Sequence, residues 1–270
     1  METIPRRNFN LHTILSELRT REFGRTIQIL DSCTSTNDIA AQLASFGAPH
    51  GYVVLAEEQT QGRGRLGRTW ASPRGGIWMT LVLRPPIRVD LLDGLPLIGA
   101  IAVAKAINSS LNTQANVRWP NDVVIAQRKI AGILAQTKFK GNEMLYALLG
   151  LGIDANFHSN ALNVVTLTLT TLLDQLGSPV DREELVCSLL LELEYIYEMA
   201  NSNREDELME SLRKLDCSRG RKMKIETENQ KVLGVFQDYD SLTSVRVATP
   251  EGKLVHLETG SVVFVEYLGA

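Results

Sequence analysis

The chain has 270 residues, 44% hydrophobic and 22% charged, an ordinary globular composition that accommodates one large domain or a large and a small one. Its formal charge of −3 excludes bulk attraction to nucleic acid or an anionic membrane and leaves room only for a local basic patch. Three scattered cysteines without a C-x-x-C pair fit reduced thiols, no apolar run approaches the roughly 18 residues of a membrane span, and the N-terminus lacks the apolar block of a signal peptide, so a cytoplasmic protein is expected.

In chain order, Leu11, Ile14, Leu15 and Leu18 recur at helical spacing and predict a helix over 11–20, with Asn10 as its cap. A strand is expected at 25–31, a capped helix over 34–47 ending at Gly47, and a buried strand at 52–59 that runs straight into a glycine loop. Residues 76–85 read as a strand closed by Pro85 and Pro86, and 91–111 as a core helix despite Pro96. Strands follow near 116–126, 130–138 and 144–154. The helix over 181–200 carries Asp181 and Glu184 as a capping box and Leu185, Leu189, Leu193 and Ile196 on one face; a more charged helix covers 204–215. Beyond it, five short β-rich runs near 221–226, 231–238, 243–248, 253–258 and 261–267 predict a small barrel.

The loop "EEQTQGRGRLGRTW" (57–70) matches G-x-G-x-x-G at Gly62, Gly64 and Gly67. A dinucleotide-binding turn needs a helix next, but "RTWASPRGGIW" brings Pro73, two glycines and another strand. Neither H-R-D nor D-F-G occurs, nor any G-K-[ST], so the kinase and Walker readings fail as well. The arginines are more informative. Arg63, Arg65, Arg68 and Arg74 concentrate charge on a flexible backbone, and guanidinium forks suit phosphate and carboxylate oxygens. With no acid interleaved, their mutual repulsion predicts a loop disordered until an anion arrives. A solvated basic turn is the plainer alternative.

Two further constellations stand out. Trp119-Pro120-Asn121-Asp122 breaks two apolar strands and is followed by Arg128 and Lys129, a pattern that also suits a simple hairpin with polar turns. "LLGLGIDANF" (148–157) is an apolar strand ending in Asp154 and Asn156, where polar groups often line a crevice.

Taken together, "STN" (35–37), "EEQTQGRGRLGRTW" (57–70), "RWPNDVVIAQRKIAGIL" (118–134) and "GLGIDAN" (150–156) resemble, in order and spacing, the biotin protein ligases, in a short form without an N-terminal DNA-binding domain. The resemblance spans about residues 26–270. It implies an α+β fold: a mixed β-sheet catalytic domain with helices packed on it, like the class II aminoacyl-tRNA synthetases, plus a small C-terminal SH3-like β-barrel. The expected division is an N-terminal helical extension (1–25), a catalytic biotin- and ATP-binding domain (26–217) and the C-terminal β domain (218–270).

The implied activity is biotinylation of a lysine on a biotin carboxyl carrier protein through biotinyl-5′-AMP, with Mg2+ as cofactor and biotin and ATP as substrates. By the same resemblance Lys129 and Arg65 are the catalytic residues. Ser35, Thr36, Asn37, Gln59, Gly62, Arg63, Gly64, Arg65, Lys129 and Gly132 would contact biotin. Arg63, Arg68, Trp70, Asn121, Asp122, Lys129 and Asn156 would contact ATP, with Trp70 covering the adenine side and Asp122 near the metal. Ser35 also reads as a helix cap, Asp122 as a turn former and Trp70 as a lid-packing residue.

Three features depart from the commonest pattern. Arg118 replaces a lysine before W-P-N-D, Asp154 replaces the first asparagine of G-I-N-x-N, and 162–173 lacks A-T-S-L, although Thr166-Leu167 or Thr170-Thr171 could align. A single helix before Ser35 leaves no room for a helix-turn-helix reader of about 60 residues, so no DNA partner is expected. A lipoate or octanoate ligase or transferase and a biotin-sensing regulatory protein are the alternatives. No membrane partner is expected, and edge strands could pair two copies into a homodimer.

Overall fold

The computed structural model describes residues 8–85, 88–162, 168–202 and 204–269. The first helix, α1 (Leu11–Glu17), is capped by the Asn10 side chain, which accepts from the His12 and Thr13 amides; it ends earlier than the apolar spacing suggests because Leu18 turns to an extended backbone. Then come β1 (Ile27–Leu30), α2 (Thr36–Ser45), β2 (Val53–Ala56) and β3 (Ile77–Leu83). The helix α3 (Leu95–Leu111) tolerates Pro96 because the proline falls in its first turn, where the missing N–H has no helical partner to lose. The stretch 116–126 is a hairpin, β4 (Ala115–Arg118) and β5 (Asp122–Ile125), broken at Trp119-Pro120-Asn121, where the turn residues put the break. The long strands β6 (Arg128–Lys140) and β7 (Glu143–Ile153) precede the helices α4 (Leu172–Leu176), α5 (Arg182–Ala200) and α6 (Glu205–Leu215). Asp181 caps α5 by accepting from the Glu183 and Glu184 amides, which is the forward half of the expected box.

These strands form one seven-stranded sheet in the order β1-β2-β3-β7-β6-β5-β4. It is mixed: β1 and β2 are parallel, and the other pairs antiparallel. Side chains alternate across it. Val53, Leu55, Leu81 and Leu83 face the main core with α3 and α5, whereas Val54, Val82 and Leu148 face α2 through Ala40 and Ala44.

The C-terminal strands β8 (Lys222–Thr227), β9 (Lys231–Tyr239), β10 (Ser244–Ala248), β11 (Leu254–Glu258) and β12 (Val262–Leu268) fall where the turn signals put them. They form an antiparallel sheet ordered β11-β10-β9-β8-β12. Among the described residues no pairing joins β11 to β12, so the sheet is open, and the closed SH3-like barrel expected from the sequence is not seen. Its core is continuous with that of the larger sheet.

The junction lies at Trp119. The ring is fully buried, 5.8 Å from Phe236 between centroids, and its N–H donates to Thr259 Oγ1. Its backbone amide donates to Ser218 Oγ and its carbonyl accepts from the Tyr267 hydroxyl. The three polar groups of Trp119 buried at this junction thereby each gain a partner. Truncating a fully buried phenylalanine costs about 3–5 kcal/mol, so Phe236→Ala is expected to lose that much stability in urea unfolding. A loss below about 1 kcal/mol would show that the junction is not packed as described.

Candidate active site

The strands β6 and β7 cross the middle of the large sheet carrying Gly132, Gly150 and Gly152, and these glycines make the floor of a cavity of about 590 Å³. The Trp70 ring lies directly on that floor. A Cβ on Gly132 would sit 2.8 Å from the ring and one on Gly152 2.7 Å from its Nε1, so only glycine admits the indole there. Trp70 therefore walls the cavity beside the floor, next to Lys129, whose ammonium lies 4.8 Å from the ring centroid.

One end of the cavity is polar and buried. Ser35 stands at the N-cap of α2 yet makes no side-chain cap bond, which leaves its hydroxyl facing the cavity. Thr36 donates from N and Oγ1 to Gln59 Oε1 at 2.8 and 3.1 Å, and Gln59 Nε2 donates to Ser72 Oγ at 2.8 Å. Asn37 is used at both ends, donating to Gln136 Oε1 and accepting from Thr80 Oγ1, each at 2.7 Å. Thr36 and Gln59 thus hold each other beside Ser35, and Thr80, which donates to Thr36 and Asn37, ties Asn37 to the same group.

At the other end Asp122, on β5, holds two cations. Lys129 Nζ is 2.5 Å from one carboxylate oxygen and Arg118 is 3.0 Å from the other. Burial alone would raise this carboxyl, but the charges of Lys129 and Arg118 outweigh it and hold Asp122 below its ordinary value. Each oxygen of the aspartate that was expected near the metal thus faces a cation. Among the described residues no cluster of three metal-ligating groups exists.

Over the cavity lies the arginine loop as a narrow flap. Gly64 donates to the Arg68 carbonyl and Trp70 to that of Gly62, and a turn at Arg65–Gly67 makes the tip. The repulsion expected among the arginines is offset, because the chain supplies counter-groups from distant elements. Arg63 pairs with Asp38 on α2 at 3.0 Å; Arg65 donates to the Val262 carbonyl at 2.6 Å and to Asn121 Oδ1 at 3.4 Å. Arg68 lies over the Phe264 ring.

Most residues singled out from the sequence do meet here: Ser35, Thr36, Asn37, Gln59, Arg63, Gly64, Arg65, Arg68, Trp70, Asn121, Asp122, Lys129 and Gly132 all line the cavity. Three do not. Gly62 lies outside the lining, with Trp70 O and Ser72 Oγ filling the space of a side chain. Asn156, expected at the nucleotide, turns away because its amide is spent on Val180, accepting from its N–H and donating to its carbonyl. Arg74 leaves the cationic group to pair with Asp31 and Glu58. Of the two alignments offered for the missing A-T-S-L, Thr166-Leu167 falls outside the described residues. Thr170 and Thr171 are buried, and Thr171 caps α4.

Sequence reasoning missed the wall contributed by the C-terminal sheet, where Arg221, Phe264 and Tyr267 line the cavity. No local pattern marks them, since they reach it only through the junction at Trp119. It also placed Asp154 without a role. This residue is 2% exposed, lines the cavity, and has one carboxylate oxygen with no hydrogen-bond partner. Burial pushes its carboxyl well above the usual range, against a smaller opposing pull from Lys129.

Comparison with known proteins gives this architecture a family. A model described as the biotin/lipoate A/B protein ligase family matches residues 29–154. A biotin–[acetyl-CoA-carboxylase] ligase of Mycobacterium tuberculosis is 30% identical over 86% of this chain and 90% of its own length. The bifunctional ligase/repressor BirA of Bacillus spizizenii is 35% identical over 67% of this chain, which spans 56% of that relative's length. A solved biotin protein ligase of Aquifex aeolicus in complex with biotin and ATP shares the fold, with a TM-score of 0.76 over 90% of this chain and 99% of the other, at 23% identity. The chain belongs to the biotin protein ligase family.

The raised carboxyl of Asp154 has a measurable consequence. An acid that titrates higher when folded than its unfolded value near 3.9 loses stability as pH rises above that value, by up to about 1.4 kcal/mol per pH unit, until the folded carboxyl itself ionises. Asp154→Asn removes the ionisation and keeps the shape. The variant should match the parent near pH 4 and exceed it increasingly towards pH 7.5 in urea unfolding. A stability difference that does not change with pH would show that Asp154 is not a buried, raised acid.

Proposed function

We propose that the chain is an ATP-dependent biotin protein ligase acting on the lysine of a biotin carboxyl carrier domain. The observation that carries this reading is the Lys129 ammonium, fixed by Asp122 between a glycine floor and a flap of three arginines. Joining a carboxylate to a triphosphate requires two anions to meet, and preorganised cations aimed at the transferring phosphoryl group lower that barrier. A 590 Å³ cavity with one polar end and an apolar middle suits a small ligand with a hydrogen-bonding head and an alkyl tail.

In this reading the free Ser35 hydroxyl, with Thr36 and Gln59, receives biotin's ureido head. The tail lies along the glycine floor against Trp70, and the carboxylate reaches Lys129. A carboxylate oxygen attacks the α-phosphorus, the bond to the β-phosphate oxygen breaks, and pyrophosphate leaves. Arg63, Arg65 and Arg68 balance the charge on the phosphates. Lys129 donates to the acyl and phosphoryl oxygens and bridges them. The carrier's neutral amine then attacks the acyl carbon, the bond to the phosphate oxygen breaks, AMP leaves, and the nitrogen loses a proton. Magnesium would arrive on the phosphates of ATP, which it favours over dedicated protein cages.

The mixed anhydride hydrolyses in water, so the flap also excludes solvent. Incubation with MgATP, labelled biotin and a biotin carboxyl carrier domain should place covalent label on the carrier; no label would refute the proposal, and competition by lipoate would redirect it to that acid. Lys129→Ala should slow biotin-dependent pyrophosphate exchange by about 10²–10³-fold, roughly 3–4 kcal/mol of lost charge stabilisation. Arg65→Ala should keep the fold but release adenylate into solution faster than it is transferred. Unchanged release would remove Arg65 from the retaining role.

A further inference from the structure

Two of the three flap arginines rest on one short stretch of the C-terminal sheet. Arg65 donates to the Val262 carbonyl at 2.6 Å, and the Arg68 guanidinium carbon lies 5.4 Å from the centroid of Phe264. The ladder between β12 and β8 changes register between Val262 and Phe264, the mark of a bulge at Val263. A bulge re-aims the side chains beside it, and here Val263 and Phe264 both line the cavity. The tip between the two arginines is uncovered: Leu66 is 61% exposed and carries a positive φ of 55°.

We propose that Phe264 is a positioning residue, whose ring face, presented by the bulge in β12, seats Arg68 and keeps the arginine flap closed over the cavity. An aromatic face attracts a guanidinium within about 6 Å of its centroid through the ring quadrupole. A saturated side chain of similar volume fills the space without that attraction. The C-terminal sheet thereby acts on the flap, and through it on whatever the cavity holds. The catalytic consequence rests on the function proposed above; the seating itself belongs to the ligand-free chain and can be read without it.

Trypsin cleaves after arginine and reports flap opening directly. Full-length wild type, Phe264→Leu and Phe264→Tyr are digested briefly without ligand, and fragments cut after Arg63, Arg65 and Arg68 are counted against those cut elsewhere. The leucine variant should be cut in the flap about two- to fivefold faster, with other sites unchanged, and the tyrosine variant should behave as wild type. In the biotin reaction, Phe264→Leu should release adenylate faster by a similar factor while Phe264→Tyr does not. Equal flap cleavage in all three proteins, a uniform rise at every site, or a tyrosine variant as open as the leucine one would overturn the seating role. A wild type that makes no adenylate would instead remove the proposed function and leave the digestion result to decide the seat alone.

Discussion

Cations do not gather in a small cavity unless something holds them there, and in this protein a single, largely covered carboxylate does so for two of them. Asp122 accepts both Lys129 and Arg118 at ion-pair distance, and its burial would be costly without them. The consequence reaches past stability. A lysine held by one carboxylate oxygen keeps its remaining donors and its charge aimed at the cavity, so the site is preorganised before any anion enters. It also explains why Arg118 can stand where lysine is commoner: its guanidinium reaches Asp122 while stacking over Tyr267 on the C-terminal sheet.

The flap applies the same logic with looser partners. Arg63, Arg65 and Arg68 each rest on a different group, a carboxylate on α2, a backbone carbonyl and an aromatic face, and none of the three rests is as strong as the hold on Lys129. Such contacts order a flexible segment without locking it. An anion with several oxygens can compete for the guanidinium groups, whereas the floor and Lys129 stay in place. The gradient from a rigid floor to a lightly seated cover follows from which partners are charged and buried.

The C-terminal sheet belongs to this arrangement rather than standing apart from it. Its contacts on Trp119 fix the turn that launches Asp122, and its strand β12 carries the groups on which two flap arginines rest. One junction therefore positions both the fixed and the movable cations.

Much of this was legible from residues alone, because the signals are local. Alternation and turn residues marked the strands, Asn10 and Asp181 marked helix starts, and the glycine-arginine loop with W-P-N-D and the lysine after it marked the site. What depended on distant partners was not legible. Arg63 finds Asp38 across 25 positions of sequence, a counter-charge that the expectation of mutual repulsion did not include. Asn156 lay at the right strand end yet was drawn off by Val180, and Asp122, read as a turn former or a group near the metal, sits between two cations that no local pattern pairs with it. The sequence by itself determined which chemistry was available, since charge, backbone freedom and periodicity are properties of neighbours. Only the tertiary structure decided which groups face the cavity and which cations are already paired, because ion pairs and burial depend on distances in space that the order of residues does not specify.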